Sequence, residues 1–306
     1  MNLNKIYLIF VLTLALCSCL DEDPSDKCTE SAIPCPVIIG QENTGCAVNI
    51  IFLAEGFTES EMPEFRELTG LAKQAILDME PFASAANSLN FYRVESPSAT
   101  SGIKTKQYTS VCNGTTGEDT FSETPWGVFT NRVGLGHYAG MEPVKRDLLE
   151  ELYGDYATGD YAYTIILANT TAYYGGAEFP GVTEYNTIAR PRVSNMIVSK
   201  YNAGEEFKFL IRHEFGHSFG NLDDEYEDPK YHCAVQHEAW FLPETPKLNV
   251  LTYNPGSWFE GARYVATGYW REWKNSIMRA NQNLTEFSPV QRSIVEKRLT
   301  EAIGCP

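Results

Sequence analysis

The residues with the clearest chemistry lie together in Arg212-His213-Glu214-Phe215-Gly216-His217-Ser218-Phe219-Gly220-Asn221-Leu222-Asp223-Asp224-Glu225-Tyr226. A helix turns about 100° per residue, so His213 and His217 project from one face about one turn apart and can bind one small cation. Glu214 is rotated off that face, which suits it to take a proton from water rather than to bind the ion. The pattern is H-E-x-x-H, and the chemistry it fits is metal-assisted hydrolysis at one Zn2+. The bland alternative is a structural helix with two satisfied histidines and an exposed acid. The chain has only five histidines, and a correctly spaced pair around a glutamate speaks for the metal site.

A hydrolytic zinc site keeps three protein ligands and an open position, so a third ligand is required. In the spacing H-E-x-x-H-x-x-G-x-x-H/D it lies six residues after the second histidine. That position is Asp223, with Gly220 in place before it; Gly220 is expected to end the helix in a left-handed conformation and swing the acid back. Met278, in Asn275-Ser276-Ile277-Met278-Arg279, sits where a Met-turn beneath the ligands is expected, the alternative being core filler. Tyr226, His232 and His237 are near in sequence, but none is assigned as an oxyanion donor.

These residues need rigid elements to hold them. The zinc helix begins near Glu205 and carries Phe207, Leu210, Ile211, Phe215 and Phe219, so it reads as buried on most sides. Ala47–Ala54, Asn90–Glu95, Tyr161–Asn169 and Ser194–Ser199 read as strands. Thr58 with Glu61 forms a capping box opening a helix to about Asp78, with Phe65, Leu68, Ala72 and Ile76 on one face. Pro143–Tyr153 and a segment from Ser288-Pro289 to Gly304 also read as helices, while Ser96–Glu123 reads as a long loop. Tyr173-Tyr174-Gly175-Gly176 reads either as a tight turn or as a border of the cleft, where an extended peptide adds to a sheet edge. Beyond Tyr226 little periodicity appears before Ser288.

The 306 residues are ample for a large core, and 43% hydrophobic with 12% aromatic residues marks a globular chain. A balance of 24 Lys+Arg against 40 Asp+Glu gives a net charge of −16, which argues against a nucleic-acid partner needing phosphate neutralisation and disfavours acidic substrates. Residues 1–18 carry Lys5 and a short apolar run, Ile6–Leu16, too short to span a bilayer and suited to an export signal. Six of the eight cysteines, Cys28, Cys35, Cys46, Cys112, Cys233 and Cys305, read as disulfide staples rather than metal ligands.

Leu16-Cys17-Ser18-Cys19 resembles a bacterial lipobox, which implies lipidation at Cys19; an ordinary secretory signal is the rival. The acidic stretch Leu20–Lys27 behind it is similar to the surface-export signal of lipoproteins of the Bacteroides group, and equally to a solvated spacer. The string His213–Tyr226, together with Asn49–Thr58 and Ser276–Arg279, resembles the immunoglobulin A peptidase family of bacterial zinc metallopeptidases. Members typically read H-E-F-G-H-S-F, a small pair, then L-A-D-E-Y, preceded by I-V-F-L-x-x-G-Y/F-T. This chain shows His213 to Phe219, then Asp224-Glu225-Tyr226, and also Tyr174-Gly175-Gly176. Where relatives commonly have Ala it has Asp223, so the resemblance implies Asp224, or Glu225, as third ligand, while spacing favours Asp223.

The expected fold is α+β and zincin-like (metzincin-like): a mixed twisted sheet with packed helices, a central zinc-binding helix, and a smaller irregular C-terminal subdomain ending in a helix. The expected division is 1–18 signal, 19–45 lipid-anchored tether and 46–306 catalytic domain, with lobes at about 46–220 and 221–306. The resemblance implies a zinc endopeptidase acting on extracellular protein or peptide, with Glu214 as general base and a membrane contact through the lipid anchor only, on the outer membrane and facing the cell surface. A catalytically silent surface binding protein and a zinc amidase acting on non-protein amides share the same residues.

Overall fold

The computed structural model describes residues 33–43, 45–108, 123–133, 136–178, 192–228, 246–279 and 285–304. The expected signal, Cys19 and Leu20–Lys27 lie outside them, as do Cys28, Cys112, Cys233, Cys305, His232 and His237.

A six-stranded sheet runs through the molecule. In chain order its strands are β1 (Val37–Ile38), β2 (Val48–Glu55), β3 (Leu89–Val94), then β7 (Ala162–Ala168), β8 (Gly175–Glu178) and β9 (Val193–Ser199). Their spatial order is β1-β3-β2-β7-β9-β8. The inner four are parallel, whereas β1 and β8 run antiparallel to β3 and β9 at the two edges. Every residue of β2, β7 and β9 is buried, as a parallel sheet covered on both faces requires.

Alternation along β2 divides the core. Ile50, Phe52 and Ala54 face helix α1 (Met62–Leu77) and helix α3 (Glu205–Ser218), while Ile51 and Leu53 face Trp126 and helix α2 (Pro143–Tyr153). The capping box of Thr58 and Glu61 is formed, and Phe65, Leu68, Ala72 and Ile76 are buried as their spacing predicts. Helix α3 buries ten of its fourteen residues. Phe215 and Phe219 pack on Phe82 at 5.0 Å each and on Tyr163 at 6.2 and 4.8 Å between ring centroids, fixing the helix against the sheet. Helix α4 (Pro289–Ile303) opens on the expected Ser288 cap and closes at Gly304.

Two expectations are corrected. Residues 33–43, expected as tether, are built into the fold: Val37 and Ile38 pair with Arg93 and Tyr92, and Cys35 is disulfide-bonded, as is Cys46. The loop expected over Ser96–Glu123 contains strand β4 (Lys104–Tyr108), which joins β5 (Val128–Val133) and β6 (Gly136–Met141) in a second sheet. Within the expected C-terminal subdomain, β10 (Val250–Leu251), β11 (Phe259–Ala262) and β12 (Val265–Arg271) form a third sheet.

Glu55 ties the second sheet to the first. Its buried carboxylate accepts from Thr124 Oγ1, from Trp126 N at 3.0 Å and from Val128 N at 2.7 Å. Burial pushes it up to about 7, against the pull of these hydrogen bonds and of Lys145. Below an ordinary carboxylate pKa the group is protonated folded and unfolded alike. Between there and about pH 7 the unfolded chain loses the proton and the fold keeps it, so Glu55's contribution falls as pH rises through that window. Glu55→Gln is expected to lose this component, on the order of 3 kcal/mol at most, in chemical unfolding at pH 5 and pH 7.5; an unchanged difference between the two pH values contradicts the assignment.

Candidate metal centre

Helix α3 points two imidazoles at one spot. His213 Nδ1 lies 3.0 Å from the Ile277 carbonyl oxygen and His217 Nδ1 2.7 Å from that of Leu222. A carbonyl only accepts, so both Nδ1 atoms donate and both Nε2 atoms face the site. The two Nε2 atoms are 3.3 Å apart. Asp224 Oδ1 sits 3.0 Å from the first and 3.1 Å from the second. An ion bound tetrahedrally with bonds of about 2.0–2.1 Å spaces its ligands about 3.3 Å apart, so the three atoms fit zinc in distance and in donor type. Among the described residues, this is the group that could hold a metal ion.

Spacing favoured Asp223, and the structure turns it away. Residues 221–226 run without helical or strand structure past α3, and in an extended chain neighbouring side chains point to opposite sides. Asp223 Oδ2 accepts from Lys247 N at 2.7 Å and pairs with Arg263 Nε at 3.3 Å, while Asn249 hydrogen-bonds the Asp223 backbone. Asp224 is therefore the acid that meets the histidines. The left-handed residue after the helix is Asn221, with φ 50°, not Gly220. Gly220 has another reason to lack a side chain, since a Cβ there would approach the Gly216 carbonyl oxygen to 2.6 Å.

Electrostatics couple the group. Burial disfavours the charged form of His213, yet the hydrogen bond and charge of Asp224, aided by Glu214, carry it up to about 9. Burial also works against the Asp224 carboxylate, but the charge of His217 and the hydrogen bonds of both histidines hold it far below the usual range. For Glu214 burial prevails and raises the carboxyl, with the histidines' charges opposing. A carboxyl raised by burial suits a group that takes and returns a proton. Glu214 lies against Gly175 on β8, where a Cβ would come within 2.1 Å of Oε1. The glycine pair thus lies on an edge strand, and its first member makes room for the Glu214 carboxyl.

Met278 is fully buried beneath the helix, and a Cβ on Gly216 would meet its Sδ at 2.5 Å. Its carbonyl oxygen accepts from Glu225 N at 2.7 Å, and the Glu225 carboxylate accepts from Ser276 Oγ at 2.6 Å and Asn249 Nδ2 at 3.0 Å. Glu225 therefore ties the ligand segment to the methionine turn instead of facing the histidines. Sequence reasoning missed Tyr264, whose hydroxyl donates to Asp224 Oδ2. Nothing in its surroundings in the sequence marks it.

A family model described as IgA Peptidase M64 matches residues 39–255. The chain belongs to the IgA peptidase M64 family. The matched span holds the three site residues of the M64 helix and Asp224, while Tyr264 and Met278 lie past its end. No curated protein matches the chain. Among solved structures, metalloproteinase-II from Bacteroides fragilis is 12% identical, with a TM-score of 0.30 over 66% of this chain and 51% of that one; the M64 chain here spans about half its length.

Asp224→Ala is expected to abolish metal retention while Asp223→Ala leaves the metal-to-protein ratio near the parent's, as read by elemental analysis after gel filtration; the reverse result would restore Asp223 as ligand. Gly175→Ala is expected to cut turnover by about 10²-fold or more by displacing Glu214, with metal content intact. Full activity in that variant would show that Glu214 does not depend on the glycine.

Proposed function

We propose that the protein is a zinc endopeptidase that hydrolyses peptide bonds of extracellular proteins, with Glu214 as general base. The observation that carries this reading is the meeting of His213, His217 and Asp224 within 3.0–3.3 Å, with a buried Glu214 beside them. Membership of a peptidase family supports it. Bound at these three side chains, zinc would supply Lewis-acid polarisation of the scissile carbonyl and acidify water.

The chain's own groups do the rest. Glu214 accepts the proton from the attacking water and hands it to the leaving amine, and the burial that raises its carboxyl favours holding that proton between the two steps. Strand β8 pairs only with β9 among the described strands, and an extended peptide adding to its other edge by backbone hydrogen bonding would lie beside Glu214. Gly175 and Gly176 keep that approach close.

The proposal extends to location. Lipidation at Cys19 would tether the exported protein to the outer membrane with the catalytic domain facing out. The disulfide bonding of Cys35 and Cys46 supports an oxidising compartment. Among the described residues no helix is long and apolar enough to cross a membrane.

Purified mature protein incubated with a diverse peptide pool is expected to cleave internal bonds, to lose that activity to a chelator and to recover it with Zn2+. Glu214→Gln is expected to keep its zinc and lose about 10²–10⁴-fold in rate. Zinc retention without any cleaved peptide would favour a silent binding protein, and cleavage of non-protein amides alone would favour an amidase.

A further inference from the structure

The hairpin formed by β11 and β12 reverses in two residues. Ala262 pairs with Val265, which leaves Arg263 and Tyr264 as the turn, with φ of 52° and 69°. A two-residue turn with both residues left-handed normally carries Asn or Gly, because side chains with a Cβ are strained there. Two large side chains in such a turn point to a task that outweighs the strain.

The task is visible at the third ligand. The turn is fastened to the ligand segment by Arg263 N to the Asp224 carbonyl at 3.0 Å, Tyr264 N to that of Tyr226 at 3.0 Å, and Asp228 N to that of Tyr264 at 3.1 Å. From this frame Arg263 pairs with Asp223 Oδ2, and the Tyr264 hydroxyl donates to Asp224 Oδ2. Neighbouring turn residues thus hold neighbouring acids, each by its own chemistry. The Tyr264 ring is buried and packs on Tyr226 at 5.2 Å between centroids, so the hydroxyl is fixed in place.

We infer that Tyr264 is a positioning residue of the metal centre: its hydroxyl occupies Oδ2 of Asp224 so that Oδ1 alone faces the two histidines, while Arg263 beside it holds Asp223 out of the site. This rests on the zinc reading proposed above. A carboxylate with both oxygens free can bind an ion through one or both. With Oδ2 committed to a buried phenol, only one is offered, and a position stays open for water and substrate.

The test is Tyr264→Phe in the full mature protein, which keeps the ring and removes the hydroxyl. Zinc affinity by chelator competition is expected to fall about 10–100-fold. In the cobalt-substituted protein, the visible bands are expected to weaken and shift as Asp224 engages through both oxygens. The metal-free form is expected to melt within about 4 °C of the parent. Parent-like zinc affinity with an unchanged cobalt spectrum overturns the inference and leaves the peptidase reading standing. A variant that no longer folds without metal also overturns it, because the hydroxyl then serves the fold. If the parent binds neither zinc nor cobalt, both readings fall together.

Discussion

Three electron-pair donors held within about 3 Å of one another are the constraint on which this structure depends. Two imidazole nitrogens and a carboxylate oxygen meet in largely buried surroundings, with His217 partly exposed, an arrangement that is unfavourable unless a positive charge sits among them. Against the burial that opposes both charged forms, Asp224 raises His213 and the two histidines hold Asp224 well below the usual carboxylate range. The site is therefore preorganised around a cation, and the surrounding elements keep it from relaxing. The Ile277 and Leu222 carbonyls fix the rings, Tyr264 fixes the carboxylate, and the aromatic packing of Phe215 and Phe219 fixes the helix that carries both histidines.

Small residues around this group follow from the same demand for closeness. Gly175 lets an edge strand lie on Glu214, Gly216 lets the Met278 sulfur rise against the helix, and Gly220 lets the chain turn under its own last carbonyls. None of the three has a left-handed φ among those found positive. Their role is to leave space, because a methyl group at each would collide with Glu214, the Met278 sulfur or the Gly216 carbonyl oxygen.

Much of this was legible because it is periodic or local. Histidines four apart on an apolar helix, all-apolar strand runs, and caps such as Thr58 with Glu61 or Ser288 before Pro289 are set within a few residues. The third ligand was not legible from spacing, because the choice between Asp223 and Asp224 depends on which way an extended segment faces, and partners far along the chain decide that: Lys247, Asn249, Arg263 and Tyr264. The small C-terminal sheet was hidden for a related reason. Its strands are short, mostly partly exposed and interrupted by Gly261 and Gly268, so no alternation develops. Strand β4 was masked by the polar composition of its surroundings.

The strand order has a consequence for how the molecule is presented. Residue 33 enters the fold beside β1, at one margin of the six-stranded sheet, and the disulfide-bonded Cys35 and Cys46 bracket that entry. Glu214 lies against β8, at the other margin. Five strand spacings of roughly 4.8 Å separate the two edges by about 24 Å. The described N-terminal stretch thus meets the sheet at the margin opposite the one that lies against Glu214.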